Sequence, residues 1–384
     1  MALFCSVFRQ ILQLFPRGEF DGLVREYRAD RHARGFASWD QFVAMLFCQF
    51  GQAKSLREIC DGLASLEGKK RHLGIDAPKR STLAYANEHR PWQLYQALFG
   101  ALLARLRGST ELKHRFRFKN PLLSMDGTVI DLCLSAFDWA RYKQRKGAVK
   151  LHMLLDHAGL LPAYCLITDG KVHEINLARS LHFTPGTIIV FDRGYVDYEW
   201  FRSLSEQKVW FVTRLRETAK YRVVENRSLT RSHVLVDQAI ELEKDARYHF
   251  VPLRLRRVQI RLDTGESMEF FTNNFHLAAA TIAEIYRDRW QIESFFRIIK
   301  QNLRIKTFVG TSANALRTQI WSALIAILIL KYLQLTAARN WSMSHLLALV
   351  RMHLFSYRDL WAWLDNPFAA SDPDPPSQMP IQFG

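Results

Sequence analysis

The sequence predicts an α/β protein in which an all-α N-terminal region precedes a mixed β-sheet. Apolar residues recur at helical spacing up to about residue 117, and from about residue 119 the pattern changes to alternating or continuous apolar runs. These runs then follow the order strand, strand, strand, helix, strand, helix, strand. The chain has 384 residues, of which 48% are hydrophobic, so two or three domains with large buried cores are expected.

Residues 1–117 are predicted to form an all-α N-terminal domain. Two of its helices, on either side of a turn at residues 51–54, match a helix-turn-helix between Trp39 and Leu63, although any pair of antiparallel helices can share this pattern. Residues 1–120 contain 20 Lys and Arg against 11 Asp and Glu. This charge favours a DNA-binding domain, and the alternative is that the basic residues form an ordinary solvated surface.

Residues 118–338 are predicted to contain a ribonuclease-H-like core, because three antiparallel strands followed by helix, strand, helix and strand is the element order of that fold. A β-rich insertion at residues 214–277 interrupts the core. Strands of the core are predicted at 122–134, 150–156, 161–168, 187–191 and 209–213. One continuous helix from 278 to about 305 and a second from 313 to about 338 follow the insertion.

The C-terminal region, residues 339–384, is predicted to hold two short helices and a disordered tail. The tail, residues 366–384, contains five of the twelve prolines. The apolar run from Ile320 to Leu330 is shorter than the roughly 20 residues that cross a bilayer, so it predicts a buried helix. With no secretory signal at the N-terminus, the expected location is the cytoplasm.

Charge and motifs narrow the function further. The chain carries 53 Lys and Arg against 37 Asp and Glu, which gives a formal charge of +16 and favours a polyanionic partner, nucleic acid first and an anionic membrane second. No Walker A loop or G-x-G-x-x-G motif is present, so no nucleotide cofactor is expected. Five scattered cysteines without a C-x-x-C pair predict neither disulfides nor a zinc site.

Two aspartates stand out in the predicted core. Asp126 lies in the otherwise apolar first strand, where an ionised carboxylate is costly unless a cation binds it, and Asp192 follows the fourth strand. Taken alone, each aspartate is better explained by a structural role in a turn. However, the first and fourth strands of a ribonuclease-H-like sheet are neighbours, so the two carboxylates are expected to meet and could share a metal ion.

A third polar group lies on the predicted helix after the insertion. At about 100° per residue, Tyr286, Arg289, Glu293 and Lys300 fall within about 60° of one another. Arg297 and Arg304 extend this stripe. Asp126, Asp192 and Glu293 together could hold two Mg²⁺ ions, for which Mn²⁺ can substitute, while the basic residues bind phosphates and Tyr286 hydrogen-bonds to or stacks on a displaced nucleotide.

These residues resemble the signature of the bacterial DDE transposases of the insertion-sequence-four family. The spacing Y-x2-R-x3-E-x6-K matches at Tyr286, Arg289, Glu293 and Lys300, with Asp126 in D-G-T and Asp192 in D-R-G-Y. The resemblance covers roughly residues 119–338, and the N-terminal helical region is similar in kind to the family's end-binding domain.

The resemblance implies an expected homodimer that binds the terminal inverted repeats of its element. It implies metal-dependent cleavage, a hairpin at each DNA end, and attack on target DNA by the 3′-hydroxyl. The family uses a tryptophan of the insertion for hairpin formation, but this insertion contains none; Trp210 precedes it and Trp290 follows it. An alternative is a catalytically silent DNA-binding protein, a repressor or remnant of the element, and a third is a nuclease without strand transfer.

Two further polar positions lie near the predicted strands. His173 and Glu174 are either a pair that supports the metal site or a surface histidine beside a helix-capping glutamate. His152, on a predicted strand, is expected to be a core histidine with its hydrogen bonds satisfied.

Overall fold

The structure is a computed structural model that divides the chain into two compact units. The structure describes residues 5–66, 73–109, 112, 114–132, 137, 139, 141–143, 146–169, 173–229, 232–243, 253–303 and 308–368. A helical unit comprises Met1–Leu106, Asn302–Arg304 and Asn314–Gly384, and a sheet unit comprises Arg107–Gln301 and Ile305–Ala313.

The described residues of the first part of the helical unit form six helices. They are α1 (Val7–Leu12), α2 (Arg17–Glu26), α3 (Ser38–Gly51), α4 (Leu56–Ala64), α5 (Arg80–His89) and α6 (Gln93–Ser109). Helix α3 is buried from Ser38 to Phe50 except at Asp40 and therefore forms the core of this unit. Helix α4 exposes Arg57, Glu58 and Asp61, a face with more acid than base, so its charge does not favour the helix-turn-helix interpretation.

In the described part of the sheet unit, ten strands form one mixed sheet. The strands are β1 (Leu122–Leu132), β2 (Arg141–Lys143), β3 (Lys146–Asp156), β4 (Leu161–Asp169), β5 (Ile188–Val190), β6 (Trp210–Thr213), β7 (Tyr221–Asn226), β8 (Val234–Leu242), β9 (Arg254–Arg261) and β10 (Ser267–Thr272). Their order is β2-β3-β1-β5-β6-β10-β9-β8-β7, and β4 pairs with β3. Strand β5 is parallel to β1 and to β6, and the other pairs are antiparallel.

This topology confirms the prediction that the first and fourth strands of the core, β1 and β5, are neighbours. It also shows where the insertion goes, because β7–β10 continue the core sheet beyond β6 rather than forming a separate one. Strand β7 was not predicted. It lies at the edge of the sheet with nearly all of its side chains exposed, so it lacks the alternation of apolar residues from which strands are predicted.

Helices cover both faces of the sheet. On one face, α7 (Glu174–Ser180) and α8 (Tyr198–Glu206) pack through residues such as Ala178 and Phe201 against Ile189 and Phe211 of the strands. On the other face, α9 (Ala279–Asp288) packs through Ile282 and Ile285 against Ile188 and Val190. Helix α10 (Trp290–Asn302) follows α9 directly. The alternation of side chains along β1 and β5 thus decides which helix each residue meets.

The C-terminal helices are α11 (Ala313–Thr336), α12 (Met343–His353) and α13 (Leu360–Asp365). Helix α11 is long and apolar enough to cross a membrane, but 83% of its most hydrophobic window is buried inside the protein, which confirms the prediction of a buried helix. The sequence predicts α11 as part of the central region, residues 118–338, whereas the structure groups its residues from Asn314 onward with the helical unit. The predicted tail lies outside the described residues from residue 369.

Candidate active site

Asp126 and Asp192 occupy equivalent positions relative to the paired residues of β1 and β5, with Asp126 still in its strand and Asp192 just after the end of β5. Ser124 of β1 is in register with Val190 of β5, and each aspartate follows its member of this pair by two residues. Side chains two residues apart in extended chain point to the same face of a sheet, here the face covered by α9. The structure therefore places both carboxylates at one end of the β1–β5 pair, as the sequence predicted.

Asp126 is a mostly buried carboxylate with few stabilising partners. Its side chain is 18% exposed, Oδ1 accepts a hydrogen bond from the Gly127 backbone N–H at 2.7 Å, and Oδ2 lies 4.0 Å from Arg289 Nη1. Burial raises the pKa of Asp126 to about 7, and the negative charges of Asp192 and Glu174 add to that increase. A positive charge placed beside Asp126 would therefore stabilise its ionised form.

Asp192 starts the short turn that follows β5. Its backbone is extended, with φ −86° and ψ −178°, and it caps the 3₁₀ turn Arg193–Tyr195 by accepting a hydrogen bond from the Gly194 N–H at 2.8 Å. This cap fixes Oδ1 and leaves Oδ2 as the oxygen for another ligand. Asp192 therefore has the structural role of a turn residue, and its negative charge also acts on Asp126.

Arg289 interrupts the helix that the sequence predicted as continuous. The Arg289 N–H donates to the Tyr286 carbonyl at 3.2 Å and the Ile292 N–H donates to the Arg289 carbonyl at 3.1 Å, so both bonds span three residues instead of four. The continuous-helix prediction was wrong because a single tight turn does not disturb the helical spacing of apolar residues. The break ends α9 and starts α10 one residue later.

The guanidinium of Arg289 links the helices to the strand. Arg289 Nη2 donates to Glu293 Oε1 at 2.8 Å, while Nη1 lies near Asp126. Arg289 is 8% exposed, and its Nε has no hydrogen-bond partner. Arg289 therefore brings Glu293 into the same cluster as Asp126, and its positively charged guanidinium lies between the two carboxylates.

Tyr286 is packed beneath Arg289. The tyrosine is 8% exposed, its ring centroid lies 5.2 Å from that of Phe270, and the Arg289 guanidinium lies 5.5 Å from its centroid. Burial raises the pKa of Tyr286, and the positive charges of Arg289 and Arg214 oppose that increase. A ring held in this way cannot stack on a nucleotide without moving, so the group that Tyr286 offers a ligand is its hydroxyl.

The remaining basic residues of the predicted stripe lie further along α10. Lys300 is half-buried and Arg297 is exposed. Arg304 lies outside the described residues. The structure thus brings together Tyr286, Arg289 and Glu293 with the two aspartates, whereas Arg297 and Lys300 lie one and two turns beyond Glu293.

A buried network that the sequence did not predict supports the helix break. Asp288 Oδ2 lies 3.0 Å from His157 Nδ1, and His157 Nε2 lies 2.6 Å from Ser124 Oγ. Arg115 Nη2 lies 3.2 Å from Asp288 Oδ1. Burial raises the pKa of Asp288, but the hydrogen bond and charge of His157, together with Arg115, outweigh it and lower that pKa. This network ties the residue before Arg289 to the strand that carries Asp126.

We expect Asp288→Ala to lower the free energy of unfolding by about 3 kcal/mol, because it leaves the buried His157 without its carboxylate. Urea unfolding at pH 7 measures this loss. The loss should shrink below about pH 4, since the ionised Asp288 stabilises the fold above that pH and protonates below it. Asp263→Ala, at an exposed turn, is the control; equal effects of the two changes would contradict the role of the network.

Glu174, Lys150 and His152 lie on the opposite face of β1 from Arg289. Glu174 Oε1 pairs with Lys150 Nζ at 2.9 Å. His152 is 2% exposed, and its Nε2 lies 2.9 Å from Thr168 Oγ1, but its Nδ1 has no partner. Burial lowers the pKa of His152 to about 4, and Lys150 adds to the decrease. The prediction of a core histidine is confirmed for its burial and was wrong for its hydrogen bonds, of which only one is made.

The carboxylates fit a divalent metal ion by their chemistry rather than by a preformed cage. Among the described residues, no group of three His, Cys, Asp or Glu side chains is arranged to hold a metal ion. Asp126, Asp192 and Glu293 nevertheless supply hard oxygen donors, and Arg289 partly neutralises two of them. A cation could replace the guanidinium between Asp126 and Glu293, so these three residues are the ones that could hold it.

Comparisons with known proteins show which family the chain is similar to. Residues 117–329 match the family described as transposase DDE domain, and residues 5–76 match a domain of unknown function, DUF4372. A protein of Sinorhizobium fredii named as transposase y4zB is 31% identical over 260 residues, 66% of this chain and 71% of that protein. A Geobacillus stearothermophilus protein, named as a transposase for insertion sequence element IS5377, is 30% identical over 66% of this chain and 67% of its own.

Among solved structures, the cryo-EM structure of the piggyBac transposase synaptic complex with hairpin DNA is similar over 94% of this chain and 80% of that chain. Its TM-score is 0.43 and its sequence identity is 10%. That similarity is too low to define the fold.

Proposed function

The chain belongs to the DDE transposase family of insertion sequences, and we propose that Asp126, Asp192 and Glu293 bind the metal ions with which it cuts DNA. A DDE transposase is an enzyme that cleaves DNA and transfers strands. The observation that carries the residue assignment is the register of β1 and β5, which brings Asp126 and Asp192 to one edge, together with the Arg289 bridge to Glu293.

The proposed metal is Mg²⁺, as two ions, with Mn²⁺ as a substitute. When bound, the ions activate the attacking oxygen and stabilise the leaving oxygen of phosphodiester cleavage. Asp126 holds its place through β1, Asp192 through the capped turn, and Glu293 through the first turn of α10. Arg289 keeps Asp126 and Glu293 close to each other and balances their charge. These elements hold the three carboxylates in one region of the sheet unit before DNA arrives.

Basic residues near the carboxylates supply the proposed DNA contacts. Lys300 and Arg297 lie on α10 beyond Glu293, and Arg304 follows in sequence. Arg289 and the Tyr286 hydroxyl would meet a phosphate closest to the carboxylates. A formal charge of +16 supports double-stranded DNA, the inverted repeats and then the target, as the partner.

We expect Lys300→Ala to weaken binding of cut DNA ends and to lower the slope of log K against log salt by about one, because one phosphate contact is lost. Fluorescence anisotropy between low and moderate salt measures the slope. Lys300→Arg keeps the charge and should keep the slope. An unchanged slope in Lys300→Ala would remove this residue from the DNA interface.

We further infer a homodimer that acts on two element ends, in the cytoplasm, with hairpin intermediates as in the insertion-sequence-four family. The spacing of Tyr286, Arg289, Glu293 and Lys300 supports that family. Of the two tryptophans beside the insertion, Trp290 is 55% exposed next to Arg289, whereas Trp210 packs against His276. Trp290 is therefore the tryptophan better placed to contact a displaced base. The alternative function is a silent DNA-binding repressor or remnant.

Cleavage of linear DNA carrying the inverted repeats that flank the gene tests the proposal. Purified protein is incubated with Mg²⁺, with Mn²⁺ and with EDTA, beside Glu293→Gln and the control Glu284→Gln, an exposed residue of α9. We expect cuts at the repeat boundary that require both metal and Glu293 and that persist in Glu284→Gln. Binding without any cleavage, at saturating protein, would instead support the silent repressor or remnant.

A further inference from the structure

Two glycines make room for a third carboxylate beside Asp126 and Asp192. A Cβ at Gly127 would lie 3.1 Å from Glu174 Oε1, and a Cβ at Gly194 would lie 3.3 Å from Glu174 Oε2. Gly127 follows Asp126 directly and Gly194 follows Asp192 by two residues. The missing side chains therefore let the Glu174 carboxylate approach both aspartate-bearing segments at once.

Asp192 lies on the other side of the second of these glycine positions. The point where a Gly194 Cβ would stand is 3.0 Å from Asp192 Oδ1 as well as 3.3 Å from Glu174 Oε2. One oxygen of Asp192 and one of Glu174 therefore both lie close to the position that a Gly194 side chain would occupy. Two negative charges placed near each other in this way repel. The charge of Glu174 also acts on Asp126 and on the buried Tyr195, whose pKa is raised by burial first and then by these carboxylates.

A buried imidazole nitrogen is directed into the same space. The Nδ1 of His152, a residue that is 2% exposed, lies 3.4 Å from the Gly127 Cβ position, beside Glu174 Oε1. Among the described residues, that Nδ1 has no hydrogen-bond partner. A buried polar atom without a partner indicates a ligand or water that completes the site.

The only counter-charge paired with Glu174 in the described part of the chain is Lys150. The Nζ–Oε1 distance is 2.9 Å, and the side chains are 14% and 23% exposed. This pair explains the position of Oε1 but not that of Oε2, which faces Gly194. A role limited to the start of α7 would not require the carboxylate to face two glycines.

We propose that Glu174 is a further ligand of the divalent cation at Asp126 and Asp192, reaching it from the face of the sheet opposite Glu293. This inference rests on the proposed metal role of the two aspartates. Among the described residues, the carboxylates of Asp126, Asp192 and Glu174 are not arranged to hold a metal ion. Since Glu174 is paired with Lys150, it must move away from Lys150 to bind the cation. Lys150 then competes with the cation for the same carboxylate.

Mn²⁺ binding to the full-length protein without DNA tests this inference. Free Mn²⁺ is measured by electron paramagnetic resonance during titration of wild type and of single variants. We expect Glu174→Gln to weaken the affinity about tenfold or more, since loss of a ligand should cost at least as much as loss of a residue that only supports one. Lys150→Gln should strengthen the affinity, because it removes the competing cation.

Glu199→Gln is the matched control. Glu199 also lies in the first turn of a helix, α8, and also pairs with one basic residue, Arg179, at 3.1 Å. We expect its Mn²⁺ affinity to equal that of wild type. Glu174→Asp, which keeps the charge, should show an intermediate affinity and guards against a folding defect in Glu174→Gln, as does the unfolding temperature without metal.

The outcomes separate this inference from the proposed function. Wild-type affinity in Glu174→Gln, with affinity lost in Asp126→Asn and Asp192→Asn, would overturn the role of Glu174 alone. Unchanged affinity in all three variants would overturn the metal site as well. Equal weakening in Lys150→Gln and Glu174→Gln would mean that Glu174 acts only as the partner of Lys150.

Discussion

Asp126→Asn and Asp192→Asn should each lower the rate of DNA cleavage at least about a thousandfold. Each change removes one carboxylate oxygen from the edge where β1 and β5 meet and keeps the size of the side chain. Metal ions contribute several kcal/mol to the stabilisation of such transition states, and each 1.4 kcal/mol corresponds to about tenfold in rate. Single-turnover cleavage of element-end DNA at saturating protein measures the effect without contributions from binding.

DNA binding and folding provide the controls for these variants. Affinity for uncut ends should stay within about twofold of wild type, because neither aspartate contacts a phosphate in the proposed arrangement. Loss of binding in step with cleavage would contradict the assignment.

The metal-free stability of Asp126→Asn should rise. Burial and Asp192 raise the pKa of this carboxyl to about 7 in the folded protein. In the unfolded chain the same carboxyl ionises above about pH 4, so the free energy of unfolding falls as the pH rises from about 4 to 7. Asn removes that cost. The unfolding temperature at pH 7 without metal should therefore be higher for the variant, and a lower one would contradict the environment described for Asp126.

The sequence predicted the two strands and the helical segments that carry the proposed site, because these elements depend on local pattern. The short β-branched run before Asp192 and the apolar run around Asp126 each predict a strand, and the neighbouring arrangement of β1 and β5 follows from the order of the elements. The i,i+4 pair of Arg289 and Glu293 also follows from helical spacing. The contact between Arg289 and Glu293 could therefore be predicted without tertiary information.

The parts that were missed depend on contacts between distant residues. Asp288 and His157 are 131 residues apart in sequence, and no spacing rule connects them. The break at Arg289 is a change of hydrogen bonding that leaves the apolar periodicity intact. The sequence left Glu174 with two interpretations, and only the positions of Gly127 and Gly194 show which groups its carboxylate approaches.

The insertion contains the ion pair whose loss should destabilise the sheet unit most. Arg256 and Asp237 are 3% and 6% exposed and are joined by two hydrogen bonds, Nε to Oδ1 at 2.8 Å and Nη2 to Oδ2 at 2.7 Å. Arg256 Nη1 also donates to the Leu277 carbonyl at 2.6 Å. Since Leu277 directly precedes the N-cap of α9, this pair connects the inserted strands to the helix that carries Tyr286.

We expect Asp237→Ala to lower the free energy of unfolding by about 3–5 kcal/mol, because it leaves the buried guanidinium of Arg256 without its carboxylate. Urea unfolding followed by tryptophan fluorescence measures the loss. Glu241→Ala on the same strand is the matched control: its partner Arg222 is 71% exposed, so the expected loss is below about 1 kcal/mol. Replacing both Asp237 and Arg256 by Leu should recover most of the stability, since no charge is then buried alone. Similar losses in Asp237→Ala and Glu241→Ala would show that the buried pair does not hold the insertion to α9.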